Sequence, residues 1–159
     1  MVQPGGGATF AVYLPRHVGK AAPPKMEGAA KALPRGLETI LVVEDEPTIL
    51  EISKLMLERQ GYTVLAAATP LESLRLARER QGGIHLLMTD VVMPEMDGRE
   101  LATRLLALHP GLKCLFMSGY TANVIARHGV LDEGMHFIQK PFTIPDLAAK
   151  VRGMLEGAE

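Results

Sequence analysis

Between Glu38 and Leu155, short apolar runs alternate strictly with amphipathic helical patterns, and few folds satisfy that alternation. The apolar runs fall at 39–43, 63–67, 84–89, 113–117 and 135–138. Helical patterns follow at 47–60, 71–79, 99–108, 121–128 and 144–155. Thr39-Ile40-Leu41-Val42-Val43 is β-branched and apolar throughout, which suits a strand covered on both faces. Pro47 opens the first helix, where a missing N–H costs nothing. Ile49, Ile52 and Met56 supply its apolar stripe, and Gly61 ends it. Thr143, with Asp146 three residues on, is the expected cap of the last helix. Five strand–helix units in this order predict an α/β fold: one parallel five-stranded sheet with helices on both faces.

In such a sheet every strand's carboxyl end lies on one edge, where open α/β folds bind their ligands. That edge collects Glu44 and Asp45 after the first strand, Asp90 after the third, Ser118 after the fourth and Lys140 after the fifth. Taken singly, each has a structural reading: helix-dipole compensation for the acidic pair, turns for the others. Together they assemble the parts of phosphoryl transfer. Asp90 is the nucleophile on rigid backbone, Lys140 a point charge for a phosphate, and Ser118 a hydroxyl donor. Converging carboxylates repel one another, and a hard divalent cation relieves this; Mg²⁺ suits so small an oxygen set.

Residues 1–35 differ in character. Ala8 to Leu14 alternates as one strand would, and a lone strand cannot stand by itself. From Arg16 the chain turns to Ala, Pro, Gly and Lys, the chemistry of a linker. The expected division is 1–15 a strand remnant, 16–37 a flexible linker and 38–156 the folded domain. A formal net charge of -1 argues against a nucleic-acid surface. Cys114, the single cysteine, reads as a core thiol, and a reducing cytoplasmic compartment is expected. No run has membrane-spanning length, so no membrane contact is expected. His17, His85, His109, His128 and His136 read as structural or surface groups.

Four stretches carry a resemblance: Val42-Val43-Glu44-Asp45-Glu46-Pro47, Thr89-Asp90-Val91-Val92-Met93-Pro94-Glu95-Met96-Asp97-Gly98, Phe116-Met117-Ser118-Gly119-Tyr120 and Lys140-Pro141-Phe142. From Glu38 to Leu155 the chain resembles the response-regulator receiver domains of two-component signalling. The resemblance implies a flavodoxin-like (βα)5 three-layer sandwich with strand order 2-1-3-4-5. It implies that Asp90 takes a phosphoryl group from a phosphohistidine. Asp45, Asp90 and the Val92 carbonyl would hold Mg²⁺, with Glu44 helping through water. Ser118 and Lys140 would hold the phosphoryl oxygens, and the Lys140–Pro141 bond would be cis. Ser118 would be coupled to rotation of Phe137, switching the face made by the fourth helix and fifth strand. Val92 and Tyr120 would flank an attacking water. Partners would be a histidine kinase's phosphohistidine domain, a histidine phosphotransfer protein, or both, and the chain a monomer or weak dimer.

Pro4 to Pro15 resembles the end of a histidine-kinase ATP-binding domain, where a Gly-rich turn feeds a final strand ending Leu-Pro. That implies the C-terminal receiver of a hybrid sensor kinase, itself a phosphoacceptor and not a turnover enzyme. The alternative is a free-standing single-domain regulator that acts by docking. A phosphate-ester hydrolase of the haloacid dehalogenase type would need an acid–base Asp two residues after Asp90, where Val92 stands.

Overall fold

The computed structural model describes residues 36–80, 83–119 and 135–157, with Ala11 and Tyr13 besides. Most of the expected strand near residues 8–14, the linker to residue 35, Tyr120 and the helix at 121–128 lie outside these residues. Five strands, β1 (Thr39–Val43), β2 (Thr63–Ala67), β3 (Leu86–Asp90), β4 (Lys113–Ser118) and β5 (His136–Gln139), form one sheet. All pairings are parallel, in the order β2-β1-β3-β4-β5. The described helices are α1 (Pro47–Glu58), α2 (Pro70–Glu79), α3 (Gly98–Leu108) and, after β5, α4 (Ile144–Glu156). The expected α/β architecture and strand order are those of the structure.

The sheet is covered on both faces because its strands are apolar on both. In β1, Leu41 and Val43 join one core with Leu74 of α2 and Leu101 and Leu105 of α3. Ile40 and Val42 face the opposite core, with Leu57 of α1 and Leu147 and Val151 of α4. Successive strand residues point to opposite faces, so one five-residue run feeds both layers.

Local chemistry fixes where the helices start. Thr69 Oγ1 accepts the Glu72 N–H, and Asp97 Oδ1 accepts the Glu100 N–H at 2.8 Å. Thr143 and Asp146 form the reciprocal capping box expected of them, with Thr143 N–H to Asp146 Oδ2 at 3.1 Å. The inward face of α1 keeps Met56 against the core, as expected, but differs at Ile52. Ser53 and Leu57 are its buried residues, and Ile52 and Leu55 are exposed.

Cys114 lies on β4 against the α2–α3 core, and burial pushes its thiol up to about 11. At about pH 8 such a thiol holds roughly one-hundredth of an ordinary cysteine's thiolate. Alkylation by iodoacetamide, followed by mass, is expected to be slower than that of a free cysteine by the same factor. Unfolding in denaturant should remove the difference. A rate in the native protein near that of free cysteine would place the thiol outside the core.

Candidate functional site

Three strand ends and the residues just past them build the site. β1 ends at Val43, and Glu44 follows with its backbone N–H on Ala67 O of β2 at 3.2 Å. That bond prolongs the sheet by one residue and turns Glu44 inward, where it is 1% exposed. Asp45, one residue on, is exposed. Asp90 closes β3 and is half-buried; its Oδ1 accepts the Val91 N–H at 2.7 Å. Lys140 follows β5, and its N–H donates to Ser118 O at 2.8 Å. The Lys140–Pro141 bond is cis, as the resemblance implied.

The Lys140 ammonium lies 2.9 Å from Glu44 Oε2 and 2.8 Å from Asp90 Oδ2. Its side chain is 16% exposed, so this double ion pair is largely withdrawn from water. Burial pushes the Glu44 carboxyl up, Lys140 opposes the rise, and the Asp90 charge adds to it. Burial alone would lower the Lys140 ammonium; Asp90 and Glu44 outweigh it and hold Lys140 above its ordinary value.

Glu44, Asp45 and Asp90 each offer an oxygen within 4.8 Å of the others. With one ammonium against three carboxylates, the cluster keeps an excess of negative charge and a hard-oxygen donor set. That set fits a divalent cation such as Mg²⁺. Val92, two residues past Asp90, is 70% exposed. Ser118 is buried at the end of β4 and joins the site through its backbone bond to Lys140. Phe137 is half-buried on β5 and packs on Phe116 with ring centroids 5.6 Å apart. His85 and His109 have structural partners, as expected: His85 Nδ1 accepts the Thr39 N–H, and His109 Nε2 lies 3.1 Å from Ala77 O.

Two supporting residues escaped the sequence reading. Thr89, fully buried, donates its hydroxyl to the Asp90 carbonyl at 3.1 Å. Gly98 packs directly under that carbonyl, so closely that a Cβ at residue 98 would overlap it. Its N–H donates to Val91 O at 3.0 Å, folding the β3–α3 loop back beneath Asp90. The Pro94-Glu95-Met96-Asp97-Gly98 turn was legible, but its contact with the Asp90 backbone was not.

A doubly wound parallel sheet with an acidic cradle and a lysine at its carboxyl edge defines a flavodoxin-like receiver architecture. Residues 40–152 match the response regulator receiver domain family, and the chain belongs to that family. It is a receiver domain of two-component systems, a class that binds Mg²⁺ at such an acidic cluster and works with histidine kinases or phosphotransfer proteins.

The chain is similar to the sensor kinase CckA of Brucella abortus (strain 2308), with 37% identity over 96% of this chain and 17% of that protein. It therefore spans under a fifth of that kinase's length. It is also similar to the response regulator receiver protein CpdR of the same organism, with 34% identity over 77% of this chain and 100% of that one. Among solved structures, the receiver domain from the hybrid histidine kinase CckA aligns with a TM-score of 0.63 and 35% identity, covering 74% of this chain and 98% of that one. A receiver domain protein from Clostridium thermocellum gives a TM-score of 0.66 at 28% identity, covering 76% of this chain and 96% of that one. Among the described residues no helix is long and apolar enough to cross a membrane.

Proposed function

We propose that Asp90 is the phosphoacceptor of a phosphorelay and takes its phosphoryl group from a phosphohistidine. The observation that carries this reading is the clasp of Lys140 on Asp90 and Glu44 beside Asp45, at the carboxyl edge of the sheet. An Asp90 oxygen forms the new P–O bond as the P–N bond breaks, and the ring nitrogen keeps the electron pair. The product is an acyl phosphate. Lys140 moves its ammonium charge onto a phosphoryl oxygen, and the Ser118 hydroxyl donates to another. Asp45, Asp90 and the Val92 carbonyl, with Glu44 in support, would hold Mg²⁺, which when bound would neutralise charge on the phosphoryl oxygens. Phe137 lacks a hydroxyl, so it switches by packing alone, and the face altered is the one that carries β5.

The test is intact mass after incubation with Mg²⁺ and a small acyl-phosphate donor. One phosphoryl group per chain, absent when the metal is chelated, supports the reading. No adduct on folded protein would leave a binding-only receiver.

Two readings of the chain's context follow from the comparisons. The CckA alignment runs over 96% of this chain, whereas CpdR stops at 77%. The extra reach includes sequence before the receiver and favours a hybrid-kinase receiver. The full-length CpdR match favours a free-standing regulator.

Val92 sets the lifetime. An exposed isopropyl two residues past Asp90 cannot orient a hydrolytic water. The acyl phosphate should therefore outlast minutes without a phosphatase. Val92→Asn should shorten its half-life about tenfold by giving the water a hydrogen-bonding partner. A wild-type half-life of minutes or less would refute this.

A further inference from the structure

Gly36 opens the long described segment at the end of the sheet opposite Asp90. It is buried, and its N–H donates to Gln60 O at 3.2 Å. A Cβ there would fall into the Tyr62 ring and against the Glu38 carboxylate, so only glycine fits. Tyr62 is 3% exposed and forms the floor of this seat. Glu38 Oε1 accepts from the Arg152 guanidinium of α4 at 2.9 Å, and Arg152 Nε donates to Glu156 at 2.8 Å. Lys113, at the start of β4, donates to Met154 O and Leu155 O and ties the same helix end to the sheet.

The 13 residues of α4 make a rod of about 20 Å. At its far end Thr143 caps the first turn, three residues after Lys140. One rigid element thus has the Lys140 loop at one end and the seat of Gly36 at the other. Rigid elements of this kind carry coupling between distant sites.

We propose that Gly36, Glu38, Tyr62 and Arg152 form a latch through which α4 fixes the seat of residue 36. A shift of Lys140 toward a phosphoryl group is then felt at residue 36. The latch itself stands on the contacts above; its response to the site rests on the phosphoacceptor reading of Asp90.

Amide hydrogen exchange and shift mapping by NMR on the full 159-residue chain test both halves. In wild type the Gly36 amide should be protected. Arg152→Met and Glu38→Gln should each speed its exchange about tenfold or more, a separation of about 1.4 kcal/mol. The Val42 and Leu87 amides in the sheet should keep their protection. Unchanged Gly36 exchange in both variants would overturn the latch. If Arg152→Met also loosens Val42 and Leu87, the near-isosteric Glu38→Gln alone decides.

Beryllofluoride with Mg²⁺, a phosphoryl mimic, should shift the Val91 and Gly36 amides together in wild type. In Arg152→Met it should shift only Val91. A Val91 shift without a Gly36 shift in wild type would overturn the transmission. Absence of any Val91 shift would instead refute the phosphoacceptor reading, and the exchange result would still judge the latch.

Discussion

Asp90→Asn is expected to give a folded protein that takes no phosphoryl group under conditions where wild type takes one. The amide oxygen of the substituted side chain can still accept the Val91 N–H that Asp90 Oδ1 accepts at 2.7 Å. Lys140 keeps its 2.9 Å pair with Glu44. The variant loses the Lys140–Asp90 pair but also sheds a negative charge that crowds Glu44 and Asp45. These effects oppose, and the melting temperature should stay within about 4 °C of wild type, or about 1 kcal/mol. With one carboxylate fewer in the cradle, Mg²⁺ affinity should fall at least about tenfold, or about 1.4 kcal/mol. Intact mass reads the adduct, thermal unfolding the fold, and calorimetry the metal. An adduct that persists in Asp90→Asn would move the acceptor to another side chain, because nothing at residue 90 could then carry it.

The parts of this site that the sequence revealed are those whose position follows from where a strand ends. Asp90 and Lys140 each close or follow an apolar run, and a parallel sheet puts such residues on one edge whatever the details of packing. Distances between residues far apart in the chain were not legible. The Lys140–Asp90 pair was foreseeable as opposite charges on one edge. The equally short contact with Glu44, 96 positions away, depends on Glu44 turning inward while Asp45 turns out. Two adjacent acids give no sign of which will be buried. The same limit hid the Glu38–Arg152 tie, which spans 114 positions.

The inward face of α1 is rotated from the expected stripe by part of a turn, for a related reason. Of the expected Ile49, Ile52 and Met56, Met56 packs against the core and Ile49 is half-buried, while Ile52 turns outward and Leu57 and Ser53 take the buried positions. Ile52 and Leu55 are left on the surface. Periodicity finds a helix more readily than it fixes the helix's rotation.

Lys140→Ala should move metal binding and phosphorylation in opposite directions, which separates the two roles the lysine could have. Its ammonium now pairs with both Glu44 and Asp90, and all three side chains are at most 16% exposed. Deleting one partner of such a pair strands the other charge, a change that typically costs about 3–5 kcal/mol. Glu44 can escape part of that cost by taking a proton, since burial already raises its carboxyl. The sign follows from linkage. A carboxyl raised in the fold leaves stability intact at low pH and removes it as pH climbs through the raised value. The deficit of the variant against wild type should therefore be largest near neutrality and shrink on acidification.

Mg²⁺ should reverse the deficit. The three carboxylates, freed of their competing ammonium, should bind the ion at least about tenfold tighter, and the gain in melting temperature on adding Mg²⁺ should exceed that of wild type. Phosphorylation should meanwhile fall by about 100-fold or more, the usual cost of removing a preorganised donor to developing charge. Thermal unfolding across pH with and without Mg²⁺, alongside adduct formation, reads all of this. If Mg²⁺ binding weakens together with phosphorylation, Lys140 acts by organising the carboxylates and not by holding the phosphoryl group.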